Sequence, residues 1–266
     1  MHQLSTLTGK KFCRKWYLGS MSYFLVKKAA PVLNAPDFKA VFHNPMPLSE
    51  QGHPYQYEFV ALPGMVFKVA RLLNDTIAEI HWPEYSSQAL FTDRRFGSLV
   101  ETPLPPEKKP LYAKTILETM ERRIGVPYVW GGNWANGIPE MLDYYPPSQA
   151  LSPRMKDLWT FRGLDCSGLL FEASMGATPR NTSQLVTFGR PVTLNDLQPL
   201  DMIVYPGHVL FVRDAKTSIE SRSPYGVVIA PLEERLREIL QTRAVVETWV
   251  SGTDPSRFFT LRRFAV

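Results

Sequence analysis

Two residues of this chain have the type and setting for nucleophilic chemistry, and a third stands where it would serve them. Cys166 lies in "RGLDCSGLLFEASMG", residues 162 to 176, between an aspartate and a Ser-Gly pair where an apolar helix begins. A thiol attacks well only as thiolate. Its ordinary pKa of about 8.5 is lowered by the positive end of a helix or by a neighbouring imidazolium. Of the five histidines, His2, His43, His53, His81 and His208, only His208 opens an apolar strand, after the turn "YPG". The strand "HVLFV" turns around 213–217 and returns as "SIES". A turn centred on Asp214 sets His208 across from Glu220, and directly opposed side chains of antiparallel strands share a face, with Cβ atoms about 5 Å apart. Glu220 then accepts a hydrogen bond from one ring nitrogen and leaves the other for the thiol. That is the logic of nucleophile, base and orienter. Each residue alone has a plainer reading: a buried thiol beside glycine, a strand-end histidine, a solvated glutamate. The conjunction is what points to chemistry.

The totals leave room for such a site. At 266 residues the chain suffices for one large domain or two modest ones. Its apolar share of 44% and charged share of 21% are those of a globular protein, while 23 prolines favour short strands and ordered loops over long helices. A net charge of +5 without a basic tract does not call for nucleic acid. Cys13 and Cys166 are too few for a disulfide framework, and no Cys or His pair has metal-ligand spacing, so neither metal nor cofactor is expected. No window reaches the roughly 18 apolar residues of a membrane span.

The first 36 residues hold six Lys or Arg and no acid. The apolar run "WYLGSMSYFLV" is interrupted by Gly19, Ser20 and Ser22 and meets Lys27-Lys28 in place of a cleavage site. A cytoplasmic location is therefore preferred, with a periplasmic or exported one as the alternative. Met21 is a candidate start, which would make 1–20 a dispensable tail.

Two regions follow. Residues 21–105 read as short strands. "GMVFKVARLLNDTIAEIHW" is predicted to be a hairpin turning at Asn74-Asp75, and "ETPLPPEKKP" to be the joint. Residues 106–266 begin with a helical period through Leu111, Ile116, Leu117, Met120 and Ile124, closed by Gly125. The Cys166 helix comes next and ends at Gly176. The strands "DMIVYP", "HVLFVRD", "SIESRS", "GVVIAPL" and "RFFTLRRFAV" complete an α+β domain.

The second region resembles the NlpC family of papain-like cysteine peptidases. "GVPYVWGG", "DCSG", "PRNTSQ", "LQPLDMIVYPGHVLFV" and "SIES" occur in the order of that family's motifs. The resemblance implies a papain-like core of helices packed on an antiparallel sheet. More loosely, the first region resembles the small all-β SH3-like barrels fused ahead of such enzymes. The implied activity is hydrolysis of peptidoglycan stem peptides, at the bond between γ-D-glutamate and a diamino acid such as meso-diaminopimelate. In that reading Cys166 is the nucleophile, His208 the base, and Glu220 the polar third residue, a slot the family more often fills with His, Asn or Gln. Tyr128 and the Cys166 N–H would hold the oxyanion. Asp165, Ser167 and Ser183 match positions lining the substrate pocket. For Asp165 a helix N-cap and a receptor for the substrate's ammonium are both open, and Ser183 has a turn role as its alternative. Trp130 is expected in the core.

Two departures from the family stand out. Leu200 replaces a glycine, a conservative change only if the turn there needs no positive φ. Between Gly132 and Asp165 lie 32 residues, far more than the family's short connection. They are rich in aromatics and proline, and either wall the cleft or elaborate the surface. Two other functions fit the same sequence: an amidase or acyltransferase working through the same thioester, and a catalytically silent module that binds cell wall.

Overall fold

The computed structural model describes residues 22–86, 88–102 and 111–264. The tail at 1–20 with Cys13, and most of the proline-rich joint, lie outside them.

Residues 22–102 form a seven-stranded antiparallel sheet. Its strands are β1 (Tyr23–Val26), β2 (Ala30–Leu33), β3 (Tyr57–Ala61), β4 (Val66–Leu72), β5 (Ile77–His81), β6 (Leu90–Asp93) and β7 (Gly97–Val100). The spatial order is β3-β2-β6-β5-β4-β1-β7, with the short helix α1 (Phe38–Val41) between β2 and β3. The hairpin expected at Asn74-Asp75 is the β4–β5 turn. Asn74 Oδ1 accepts the backbone N–H groups of Thr76 and Ile77, each at 2.8 Å, which closes the turn with a side chain.

In the second region α2 (Ala113–Glu121) buries Ile116 and Met120, and Gly125 follows at φ +83°. Ile124 lies beyond the helix end and is exposed. Every residue of α5 (Cys166–Ala173) is buried, its one charged side chain, Glu172, in an ion pair with Arg123 at 2.9 Å. Gly168 is required there, because a Cβ at that position would collide with the Gly132 carbonyl. The segment between them carries α3 (Met141–Tyr144), α4 (Pro153–Trp159) and a two-strand ribbon of β8 (Asn133–Trp134) and β9 (Gly163–Leu164).

The second sheet has the order β10-β16-β11-β12-β13-β14. Its strands are β10 (Arg190–Pro191), β11 (Met202–Tyr205), β12 (His208–Val212), β13 (Thr217–Arg222), β14 (Gly226–Pro231) and β16 (Phe258–Arg263). The path is antiparallel, and the short β15 (Ala244–Val245) joins β16 in parallel at its side. One face packs Val209, Phe211 and Ile219 against α2 and α5. The other packs Leu210, Val212 and Phe259 against α7 (Leu232–Leu240), a helix the sequence reading had not separated from the strand before it. The architecture is α+β, with helices on an antiparallel sheet.

The hydrophobic core does not divide where the chain's character changes. Ile138, Met141, Tyr145, Leu158, Trp159 and Phe161, all from the 32-residue connection, pack in one cluster with Phe38, Phe42 and Tyr57 of the first region. The Tyr57 and Phe161 rings stack at 3.9 Å, and the Tyr57 hydroxyl donates to the Leu158 carbonyl at 2.7 Å. Asn133 spans the same junction: its amide gives and takes a 2.8 Å hydrogen bond with the backbone of Val60. The connection is thus neither an inert elaboration nor a wall of the cleft described below. It is packing that ties the first sheet to the second region.

Leu200 stands at φ +76° with its side chain buried. The turn before β11 does need the left-handed conformation, so replacing glycine there is not conservative. Strain of about 1–2 kcal/mol is offset by burying the leucine side chain.

Candidate active site

The site is built where the N-terminus of α5 meets the start of β12. Asp165 caps α5, with Oδ1 accepting the Gly168 N–H at 2.7 Å, and this places Cys166 as the first helical residue. Cys166 lines a cleft of about 390 Å³. Its Sγ lies 4.0 Å from the carbonyl of Gly207, the residue just before His208.

His208 is the first residue of β12, and its Nε2 is 2.6 Å from Glu220 Oε2. With Nε2 committed to the carboxylate, Nδ1 is the nitrogen left to face the sulfur. Burial alone would lower the imidazole pKa. Hydrogen bonding to Cys166 and to Glu220, together with their negative charge, overrides that and raises it to about 9. Glu220 is fully buried, which alone would raise its pKa; His208 and Arg235 more than offset this and hold it below the ordinary value.

The contact is not the one expected from the strand register. Phe211 pairs with Ile219 and Val212 with Ser218. One step further along the strands, Leu210 faces Glu220, so His208 reaches its carboxylate diagonally. The cause is the turn. The pairing centres the turn on Ala215 in place of Asp214, and Asp214 Oδ1 holds it there by accepting the N–H groups of Lys216 and Thr217 at 2.8 Å each. Because the shift is two residues, the face is kept and the pair still meets.

Tyr128 lines the cleft beside Cys166. Burial, reinforced by the charges of Asp165 and Cys166, pushes its phenol pKa well upward, so the hydroxyl stays a proton donor. Its loop is braced by Arg154, whose guanidinium donates to the Tyr128 carbonyl at 2.5 Å. Trp130 is half exposed on the cleft, not in the core, and stacks on His53 at 5.1 Å.

Of the remaining predicted pocket residues, Asp165 and Ser167 line the cleft and Ser183 does not. Ser183 points outward from the one-turn helix α6 (Thr182–Leu185), and its neighbours Asn181 and Thr182 line the cleft in its place. Thr182 Oγ1 accepts the Gly207 N–H at 2.9 Å, which steadies the turn before His208. Asp165 is occupied. Arg180 grips both carboxylate oxygens, at 3.0 and 2.5 Å, and also donates to the Ser167 hydroxyl at 2.9 Å. A carboxylate already neutralised by a buried guanidinium is a poor receptor for an ammonium, so the N-cap reading of Asp165 is the one its contacts support.

The first region supplies an acid that sequence reasoning did not single out. Glu58 lines the cleft, held by the Asn34 amide and the Tyr85 hydroxyl, each at 2.7 Å. Both donors are neutral, and among the described residues no ion pair includes Glu58. Arg180 sits in the quoted "PRNTSQ", but only the fold brings it to Asp165. Among the described residues no cluster of three or more His, Cys, Asp or Glu could hold a metal, and no helix is long and apolar enough to cross a membrane.

No family model matches the chain, and no curated protein does. Among solved structures it is similar to an NlpC/P60 family protein from Bacillus cereus, at 16% identity and a TM-score of 0.37, over 92% of this chain and 64% of that one. It is similar to the peptidoglycan hydrolase RipB from Mycobacterium tuberculosis at 20% identity and a TM-score of 0.35, over 57% and 63% of the two chains. It is also similar to NlpC2 from Trichomonas vaginalis at 12% identity and a TM-score of 0.36, over 91% and 72%. The chain spans less than two thirds of the length of the first two.

Proposed function

We propose that the chain is a cysteine peptidase of the NlpC/P60 kind that cleaves peptidoglycan stem peptides between γ-D-glutamate and a diamino acid. The observation that carries this reading is the meeting of Cys166, at a buried helix N-terminus, with the turn that starts β12: its sulfur lies 4.0 Å from the Gly207 carbonyl, and the next residue, His208, holds Glu220 on its Nε2 at 2.6 Å.

In the proposed reaction the Cys166 thiolate attacks the γ-carbonyl carbon while His208 holds the proton as imidazolium. The carbonyl oxygen takes up negative charge and is met by the Tyr128 hydroxyl and the Cys166 backbone N–H. That N–H is one of the first-turn donors that a helix leaves without an internal partner. The tetrahedral intermediate collapses as the C–N bond breaks, and His208 passes its proton to the leaving amine. A thioester remains. Water, deprotonated by His208, then attacks the thioester and releases the γ-carboxylic acid, and the thiolate–imidazolium pair is restored.

The same reading assigns the substrate's free N-terminal ammonium to Glu58. It is a cleft carboxylate held by neutral donors alone, whereas Asp165 already has its cation. Glu58 and Tyr85, from the first region, line the cleft together with Cys166; in this reading the first region is SH3-like, the substrate is a short released peptide, and the protein works in the cytoplasm. The test is incubation with L-Ala-γ-D-Glu-meso-diaminopimelate and with its N-acetylated form, followed by mass spectrometry of the fragments. Cleavage of the free-amine peptide supports the reading. Intact peptides in both reactions contradict it.

A further inference from the structure

We propose that Arg235, on α7, is a positioning residue for this reaction: it fixes the plane and the charge of the Glu220 carboxylate, and through it the ring of His208. The proposal rests on the peptidase reading above only for its activity readout.

Glu220 has no access to solvent, and its two oxygens are shared between two cations. Oε1 accepts from Arg235 Nε at 2.6 Å. Oε2 accepts from Arg235 Nη2 at 3.1 Å and from His208 Nε2 at 2.6 Å. A guanidinium fork on both oxygens leaves the carboxylate one orientation, and that orientation aims Oε2 at the imidazole. Arg235 touches neither the sulfur nor the cleft. It arrives from the opposite face of the sheet, on a helix anchored by Leu232 and Ile239, and its own position is held by Glu238 on the next helical turn.

Charge argues for the same role. A neutral amide or imidazole in the third position would orient His208 without adding a charge. A lone buried carboxylate would bind the imidazolium so tightly that the proton is withheld from the leaving amine. Arg235 balances the carboxylate, so the Glu220–Arg235 pair presents an acceptor of nearly neutral total charge. The other charged or titratable groups around the ring are Cys166 on α5, Arg222 on β13, Tyr205 on β11 and Arg243 before β15. Arg222 Nε lies 3.9 Å from Glu220 Oε1, and the Arg243 guanidinium stacks on the Tyr205 ring at 4.0 Å. None of them makes the bidentate contact.

The experiment follows the His208 ring by NMR titration in wild type, R235Q, R235K, E220Q and the E220Q/R235Q double variant, with kcat on the tripeptide measured in parallel. In R235Q the His208 titration moves upward by about one pH unit, because the balancing charge is gone. In the E220Q background the same change leaves His208 where E220Q put it, because the arginine acts only through Glu220. R235K keeps the charge and loses the fork, so its His208 titrates as in wild type while kcat falls about tenfold from loss of orientation. A His208 titration in R235Q unchanged or moved downward overturns the proposal. So does an equal effect of R235Q with and without Glu220. If R235Q does not fold, R235K decides: wild-type kcat in that variant overturns the proposal. If no variant, wild type included, cleaves the tripeptide but the titrations move as stated, the positioning role stands and the peptidase reading falls.

Discussion

Arg180 closes on Asp165 with both arms of its guanidinium, and the aspartate it holds is the cap of the helix that begins with Cys166. The two side chains are almost entirely buried, at 2% and 10% exposure. Removing one partner therefore strands the other. R180M is expected to lower the unfolding free energy by about 3–5 kcal/mol in urea titrations, the range for an uncompensated buried charge. A loss under about 1 kcal/mol would mean that the pair is not closed in solution.

The Glu58 assignment separates binding from chemistry. E58Q is expected to raise KM for the free-amine tripeptide about tenfold with kcat little changed, since the ammonium is far from the reacting carbonyl. The N-acetylated peptide should lose its disadvantage in the same variant. Equal kinetics of wild type and E58Q on the free-amine peptide would remove Glu58 from the site.

Tyr128 is expected to act on the transition state. Y128F should lower kcat about 10²-fold or more and leave KM near the wild-type value, because the oxyanion exists only after attack. Wild-type kcat in Y128F would leave the Cys166 N–H as the oxyanion donor in place of the pair.

The dyad also sets a pH dependence. His208 titrates near 9 when folded, against about 6.5 for a free imidazole. The folded state therefore binds the proton more tightly than the unfolded chain. Its contribution to stability is complete below pH 6.5 and is lost as pH rises through 9. Activity that uses the imidazolium should fall over the same upper limb. E220Q removes a source of the shift and is expected to lower the His208 titration and to flatten the stability profile between pH 6.5 and 9. An E220Q titration at the wild-type value would show that the 2.6 Å contact does not govern the ring.

Local sequence chemistry made much of this readable, and what it missed is long-range. Asp165 before Cys166 reads as a helix start because the cap is a contact three residues long. Five strands of the second sheet, β11 to β14 and β16, are readable from their apolar runs, whereas the exposed two-residue β10 and β15 have none. The β12–β13 register was not readable, because it depends on where the turn is centred, and Asp214 holds that turn through two backbone amides. Arg180 stands in a quoted motif 15 residues from Asp165, but its partner is set by the fold, and Glu58 reaches the cleft from the first region with no spacing to announce it. Trp130 looked like core because tryptophan usually is, yet its ring found a partner in His53 at the surface. The helix carrying Arg235 did leave a signal: Leu232, Leu236 and Ile239 recur at helical spacing behind Pro231. Its many charges mask that stripe.

Leu200 offers a test of the backbone independent of function. Glycine is ordinarily less stabilising than alanine, but at φ +76° the order should reverse. L200G and L200A both lose the buried side chain, and L200G is expected to be the more stable of the two by about 1 kcal/mol. The usual order, with L200A more stable, would mean that the turn has relaxed to negative φ.

The claim on which the rest depends is that the sulfur of residue 166 bonds to the substrate's acyl carbon. Acid quenching during turnover of the free-amine tripeptide, followed by mass mapping, measures this directly. We expect an L-Ala-γ-D-Glu acyl group on the peptide that contains Cys166, absent in C166A together with all hydrolysis. Continued cleavage by C166A, with no acyl group on the wild-type cysteine, would contradict the account.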